Sequence, residues 1–131
     1  MNISHIDHLV LTVEDIPRTV EFYSQVFGME VANFEANRMA LKFGQQKINL
    51  HQVGDEHQPH AKKPTSGSVD ICLVSQTPID IVLMELREKK IELIEGPVMR
   101  TGATGTLLSI YIRDPDQNLI EISNIKQEGQ A

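Results

Sequence analysis

Two stretches of this chain echo each other, and each carries side chains able to bind a metal or move a proton. Ile6-Asp7-His8-Leu9-Val10-Leu11-Thr12-Val13 is matched by Ser68-Val69-Asp70-Ile71-Cys72-Leu73-Val74-Ser75, and Ile48-Asn49-Leu50-His51-Gln52 by Asn118-Leu119-Ile120-Glu121-Ile122. The first echo sets His8 against Asp70, and the second sets His51 against Glu121. Imidazoles and carboxylates inside apolar strands are costly unless they meet each other or a cation. Two neutral imidazoles and two carboxylates suit a divalent transition metal such as zinc, nickel, manganese, cobalt or iron, and suit magnesium less well. Three or four protein ligands leave a position open for water or substrate, which is the catalytic pattern. His8, His51, Asp70 and Glu121 are therefore the expected metal ligands.

These groups need strands to carry them. His5–Val13 alternates as a strand, and a helix follows, with Asp15 as N-cap, Pro17 in the first turn and Gly28 as the stop. Ile16, Val20, Tyr23 and Phe27 recur at helical spacing and are expected to face the core. Strands are expected near 29–34, 38–43 and 47–53. The polar, Pro- and Gly-containing stretch 54–67 reads as a linker. The order then repeats: a strand at 68–74, a helix capped by Thr77 with Pro78 in its first turn, and strands at 91–94, 107–113 and 118–124. The chain thus divides into module one at 5–53 and module two at 68–125 within a single domain spanning 1–131. The polar tail 126–131 is expected to fray.

Period-two alternation separates the faces of each strand. One face is uniformly aliphatic and calls for a helix to cover it. The other carries His8, Asn49, His51, Asp70, Ser109, Tyr111, Arg113 and Glu121, and is left to line a cavity. Gly96-Pro97-Val98-Met99-Arg100-Thr101-Gly102-Ala103-Thr104-Gly105 reads as an enlarged Gly-rich loop suited to substrate contacts, with Arg100 able to grip a carboxylate or phosphate. Arg100, Thr101, Ser109, Tyr111 and Asn49 are the expected substrate contacts, and Glu121 and Asp70 the expected acid–base groups. The bland readings differ: Arg100 is an exposed loop residue, Arg113 pairs with Asp114 or Asp116, and Cys72 is a small buried hydrophobe. His57 and His60 lie in the polar linker and are expected to be solvated.

Composition excludes several functions. The 131 residues carry a net charge of −6, which argues against nucleic acid or an anionic membrane as partner. An aromatic content of 5% offers no stacking platform for single strands. No apolar run approaches membrane-spanning length, and no secretory signal is visible at the start. The single cysteine, Cys72, rules out an internal disulfide framework and fits a reducing cytoplasm.

Three segments resemble the vicinal oxygen chelate superfamily, the glyoxalase, bleomycin-resistance and extradiol dioxygenase fold. They are Ile6-Asp7-His8-Leu9, the helix Thr19-Val20-Glu21-Phe22-Tyr23-Ser24-Gln25-Val26-Phe27-Gly28-Met29, and Arg113-Asp114-Pro115-Asp116-Gln117-Asn118-Leu119-Ile120-Glu121. The segments at 68–73 and 96–103 are similar to the branch named glyoxalase domain-containing protein 5. The resemblance implies an α+β fold of two tandem βαβββ modules whose curved mixed sheets surround a metal that holds adjacent substrate oxygens. It places His8 and Glu121 on the most regular ligand positions and His51 on the one closing the first module. Asp70 stands where relatives usually have histidine, and its role stays open between fourth ligand, partner of a ligand histidine, and general base.

The expected function is then a metal-dependent glyoxalase-like lyase or isomerase of the lactoylglutathione lyase type, acting on a small oxygenated molecule. The alternatives are a bleomycin-resistance-type sequestering protein, which needs a cavity but no metal, and a ferrous dioxygenase. The resemblance further implies a homodimer.

Overall fold

In the computed structural model, which describes residues 1–126, the chain forms two compact units, residues 1–68 and 69 onward. Each contains one strand, one helix and three further strands.

In the first unit, β1 (His8–Val13) leads to α1 (Ile16–Phe27), then β2 (Glu30–Phe34), β3 (Arg38–Phe43) and β4 (Gln46–Gln52). The sheet order is β1-β4-β3-β2, with β1 parallel to β4 and the other pairs antiparallel. The Asp15 side chain accepts from Arg18 N, Pro17 occupies the first turn, and Gly28 ends the helix at φ 67°. Tyr23 and Thr19 are the fully buried residues of α1, Thr19 donating its hydroxyl to Asp15 O. Leu11, Val13, Leu41, Ile48 and Leu50 form the apolar core of this unit.

The second unit repeats the topology. β5 (Asp70–Val74), α2 (Ile79–Glu88), β6 (Glu95–Thr101), β7 (Thr106–Arg113) and β8 (Leu119–Lys126) give the order β5-β8-β7-β6. Ile79, Val82 and Leu86 of α2 are buried, as are Ile110, Ile112, Ile120 and Ile122 of its sheet. The Asp-Pro-Asp turn is pinned from within. Asp114 Oδ1 accepts from Asp116 N and Asn118 N, and its Oδ2 accepts from Asn118 Nδ2. Asn118 Oδ1 in turn accepts from Val69 N, tying the turn to the entrance of β5.

Three expectations are corrected. Thr77 does not cap α2. Pro78 holds the cap position without a side-chain bond, and Asn124 Oδ1 accepts the orphan Ile79 N–H from β8. Residues 91–94 are not a strand, and 96–105 is not a long loop. Glu95–Thr101 is β6, closed to β7 by the short turn 102–105. Glycine misled the reading here, because Gly96 marks a bulge rather than a loop. Glu95 pairs with Tyr111 and Val98 with Ser109, so β6 spends one extra residue between them. Gly96 sits there at φ 110°, where an added Cβ would lie 2.5 Å from Ser109 O. Of the tail expected to fray, Lys126 instead closes β8, paired with Thr106, and residues 127–131 lie outside the described residues. Among the described residues no helix is long and apolar enough to cross a membrane.

Candidate functional site

The strand register decides which polar side chains are neighbours. In the first unit Val10 pairs with Asn49 and Thr12 with His51, while in the second Cys72 pairs with Glu121 and Val74 with Ser123. Val10 and Cys72 are equivalent in the echoed strands, so the counterpart of Glu121 is Asn49, and that of His51 is Ser123. A second marker agrees. Gln52 Oε1 accepts from Ile16 N and Asn124 Oδ1 from Ile79 N, each holding the first N–H of its unit's helix. The expected match of His51 with Glu121 is thus two residues out of step. A slip of two leaves every side chain on its original face, so the apolar pattern could not reveal it.

This changes the expected ligand set. His8 lies beside Lys47 and His51 beside Thr12, four residues further along the same face. That is about 13 Å at the usual rise per strand residue, so the two imidazoles do not converge within the unit. Each unit instead presents a closer pair on its polar face: His8 with Asn49, and Asp70 with Glu121. No group of three or more His, Cys, Asp and Glu side chains placed to hold a metal occurs among the described residues.

His8 and Glu121 are nevertheless set up as donors. The His8 side chain is 44% exposed, and its Nδ1 lies 2.8 Å from Asp7 Oδ2, which leaves Nε2 directed elsewhere. The same hydrogen bond is the main reason the Asp7 carboxyl titrates below its usual range. A carboxylate on the far nitrogen is the usual support of a metal-binding histidine. Glu121 is held in a comparable way through one oxygen. The Ser109 hydroxyl donates to its Oε2 at 2.6 Å, and Ser123 lies 3.2 Å from the same oxygen. Ser109 and Ser123 are fully buried, so Glu121 is oriented from beneath. Asp70 lies exposed at the edge of the same face, and its side chain makes no hydrogen bond among the described residues.

Proton counting orders this network. Each serine has one hydroxyl proton, and Ser109 commits its own to Glu121. Ser123 Oγ lies 2.7 Å from Ser109 Oγ and 3.2 Å from Cys72 Sγ. A consistent direction runs from the Cys72 S–H to Ser123, to Ser109, to Glu121. Burial of the sulfur, foremost, pushes the Cys72 thiol pKa up, which keeps its proton in place. Cys72 is not the buried hydrophobe expected from its type. It lies on the exposed polar face of β5 as the first donor of this relay.

Tyr111 stands beside Glu121 across β7 and β8. Its phenolic oxygen accepts from Arg100 Nε at 2.9 Å, and the guanidinium reaches Glu95 Oε2 at 3.3 Å. Arg100 therefore projects from a strand, not from a loop, and shares its face with Val98. Thr101, the next residue, points to the opposite side by strand alternation and does not join this group. Arg113 donates to Gln117 O at the turn.

The first unit's face carries a different feature. His51 is 2% exposed and Asn49 5%, yet both His51 ring nitrogens and Asn49 Oδ1 lack a hydrogen-bond partner, as does Arg38 Nε. Each such orphan costs roughly 1–3 kcal/mol. Burial, then the fields of His57, Arg38 and His60, push the His51 pKa below its ordinary 6.5. The His57 ring packs edge-on at 5.3 Å from that of His51. Arg38 and His57 had no part in the expected site. The orphaned atoms are visible only once burial and partners are known.

Comparison with known proteins agrees with this architecture. The sequence model of the Glyoxalase/Bleomycin resistance protein/Dioxygenase superfamily matches residues 5–122. The chain is 57% identical over 123 residues to virulence protein STM3117 of Salmonella typhimurium, covering 94% of this chain and 85% of that protein. The crystal structure of STM3117 matches with a TM-score of 0.95 at 56% identity, covering 96% of this chain and all of that one. Glyoxalase domain-containing protein RDO1 of Mycosarcoma maydis is 49% identical over 124 residues, 95% of this chain and 70% of that protein. Lactoylglutathione lyase from Agrobacterium tumefaciens shares the fold, with a TM-score of 0.74 at 22% identity over 99% of this chain and 100% of that one. Repeated βαβββ units, the pinned Asp-Pro-Asp turn leading to Glu121, and a family match over nearly the whole length lead to one conclusion: the chain belongs to the glyoxalase/bleomycin resistance/dioxygenase superfamily.

Proposed function

We propose that this chain is a divalent-metal-dependent lyase or isomerase of the glyoxalase kind, acting on a small oxygenated substrate. The superfamily commonly uses divalent metals. The observation that carries the reading is the matched support of two donors: Asp7 behind His8, and the Ser109–Ser123 pair behind Glu121. Such supports fit a cation, since they fix the orientation of a donor while leaving its outer atom free. In the first unit His8 would be the donor to a metal, and in the second unit Glu121 would be. His51 leaves the ligand set on register grounds. When bound, a divalent cation would polarise a substrate carbonyl and acidify the adjacent C–H.

The chain's own residues supply the rest. Asp70, with no internal hydrogen bond, is free to accept and return a substrate proton. Tyr111 and Arg100 form one edge of the face around Glu121, where the hydroxyl and the guanidinium orient substrate oxygens. Ser109, itself braced by Ser123, holds the Glu121 carboxylate against rotation. The same reading takes the working form as a homodimer, because Val10 and Val74 leave exposed apolar side chains on these faces.

The test is elemental analysis of protein purified without chelator or affinity metal, followed by assay on the methylglyoxal–glutathione adduct. Stoichiometric metal that is lost in His8→Ala and Glu121→Gln, together with turnover, is the expected result. Metal-free protein that gains neither metal nor activity on adding zinc, nickel, manganese, cobalt or ferrous iron would overturn the proposal. A sequestering protein is the second reading, favoured by the absence of a three-donor group among the described residues. Metal-independent ligand binding without turnover would decide for it.

A further inference from the structure

A cavity of about 510 Å³ opens on the first unit, lined by Asp7, Ala32, Phe34, Ala40, Lys42 and Lys47 together with the turn joining β3 to β4. That volume lies in the range of small-molecule sites. Strand register explains its composition. Ala32 pairs with Ala40, and two residues along the same face Lys42 pairs with Lys47, which pairs in turn with His8. The two alanines make a low apolar floor, with the two ammonium groups at one side of it. Phe34 stands two residues beyond Ala32 on the same face, and Lys47 Nζ lies 4.1 Å from its ring centroid.

Like charges directly opposite on neighbouring strands repel, so Lys42 and Lys47 are unfavourable where they stand. Neither ammonium joins an ion pair among the described residues. Asp7, the carboxylate of the cavity wall, is bonded through Oδ2 to His8 Nδ1 at 2.8 Å. Glu30, opposite Lys42 on β2, is exposed and does not line the cavity. The chain as a whole carries a net charge of −6, so this pair of cations runs against its overall balance. The contact that Lys47 does make, with a ring face, is weaker than a charge-assisted hydrogen bond to an acid oxygen. An entering anion therefore gains the ammonium without breaking an ion pair.

The wall describes a ligand with two parts. An inorganic anion would leave Ala32, Ala40 and Phe34 facing water, and a neutral apolar molecule would leave the lysines without a counter-charge. We propose that this cavity receives a small organic acid, its anionic group between the Lys42 and Lys47 ammonium groups and its apolar body on Ala32, Ala40 and Phe34. This deepens the function proposed above by naming the substrate as an acid, and it rests on that reading for its catalytic meaning. Lys47 is the direct neighbour of His8 across β1 and β4, so the acid group is brought beside the first unit's proposed metal donor.

The experiment uses full-length protein stripped of metal with a chelator, dialysed, and titrated at low ionic strength with phenylacetate, hexanoate and the neutral phenylacetamide. The backbone amides of Ala32 and Ala40 are followed by NMR. Both acids are expected to bind saturably at millimolar concentration and to shift those amides, and phenylacetamide to bind at least about tenfold more weakly than phenylacetate. Lys47→Met should weaken both acids about tenfold and leave phenylacetamide unchanged, whereas Lys47→Arg, which keeps the charge, should bind them within about threefold of the parent. Lys42 is the more exposed of the two and better screened, so Lys42→Met should weaken the acids about threefold. Circular dichroism of each variant confirms that it is folded. No saturable binding of either acid, phenylacetamide bound as tightly as phenylacetate, or Lys47→Met binding the acids as the parent does would each overturn the proposal. Because the protein is metal-free throughout, failure here leaves the metal proposal standing, and failure of the metal analysis leaves the acid site standing.

Discussion

Ser109→Ala offers the most direct test of how Glu121 is held. The substitution removes one oxygen from a fully buried position and adds no bulk, so packing changes little. What it removes is a 2.6 Å bond to Glu121 Oε2 and a 2.7 Å contact with Ser123. A hydrogen bond to a charged group contributes about 1.5–3 kcal/mol net. Glu121 is half-buried rather than sealed, which places this bond in the lower half of that range. Ser123 is freed to donate fully to Glu121 from 3.2 Å, and this returns part of the loss. The coupling between positions 109 and 121 should therefore come to about 1–2 kcal/mol in a double-mutant cycle of Ser109→Ala with Glu121→Gln. With a urea slope of about 1–3 kcal/mol/M, Ser109→Ala alone should lower the unfolding midpoint by on the order of 1 M or somewhat less. Under the metal proposal the same variant should also lose about 10–100-fold in zinc or nickel affinity, measured by competition against a chromophoric chelator. A coupling under about 0.3 kcal/mol would refute the claim that the serine orients the carboxylate.

Three other outcomes follow from the structure. Cys72 should alkylate more slowly than a free thiol near neutral pH, because burial raises its pKa and lowers the thiolate fraction; an iodoacetamide rate–pH profile at or below the free-thiol pKa contradicts this. His51 has a folded-state pKa below its unfolded 6.5, so the native state binds fewer protons there. Its contribution to stability is whole above that value and is lost as the pH falls toward the folded-state pKa. Urea midpoints should thus decline on going from about pH 7 to about pH 5, and His51→Gln should flatten the decline; an unchanged slope in the variant rejects the assignment. Gly96→Ala should destabilise by roughly 3 kcal/mol or more, since φ 110° and a 2.5 Å approach to Ser109 O leave a methyl no space; thermal unfolding indistinguishable from the parent would show that the bulge relaxes freely.

Much of the fold could be read before any coordinates. The helix of the first unit was delimited by Asp15, Pro17 and Gly28, each of which restricts or satisfies the backbone locally. The sorting of strand faces followed from alternation alone, and it put Ser109, Tyr111 and Glu121 together on one side, where β7 and β8 hold them. The start of α2 was not legible. Its cap comes from Asn124, 45 residues away, and no local signal reports a partner that far along the chain. β6 was misread because glycine has the same signature in a bulge as in a loop.

The candidate site divides along the same line. Sequence by itself determined which residue types could do chemistry and which face each occupies, since both depend on side-chain identity and a period of two. Tertiary structure alone decided which of them are neighbours. A strand can slide by two residues against its partner without turning any side chain over, so only interstrand hydrogen bonding set Asn49, rather than His51, in the place equivalent to Glu121. The unmet hydrogen-bonding capacity of Arg38, Asn49 and His51 is likewise a property of packing: burial and the lack of partners arise only when separate strands close over the same few atoms.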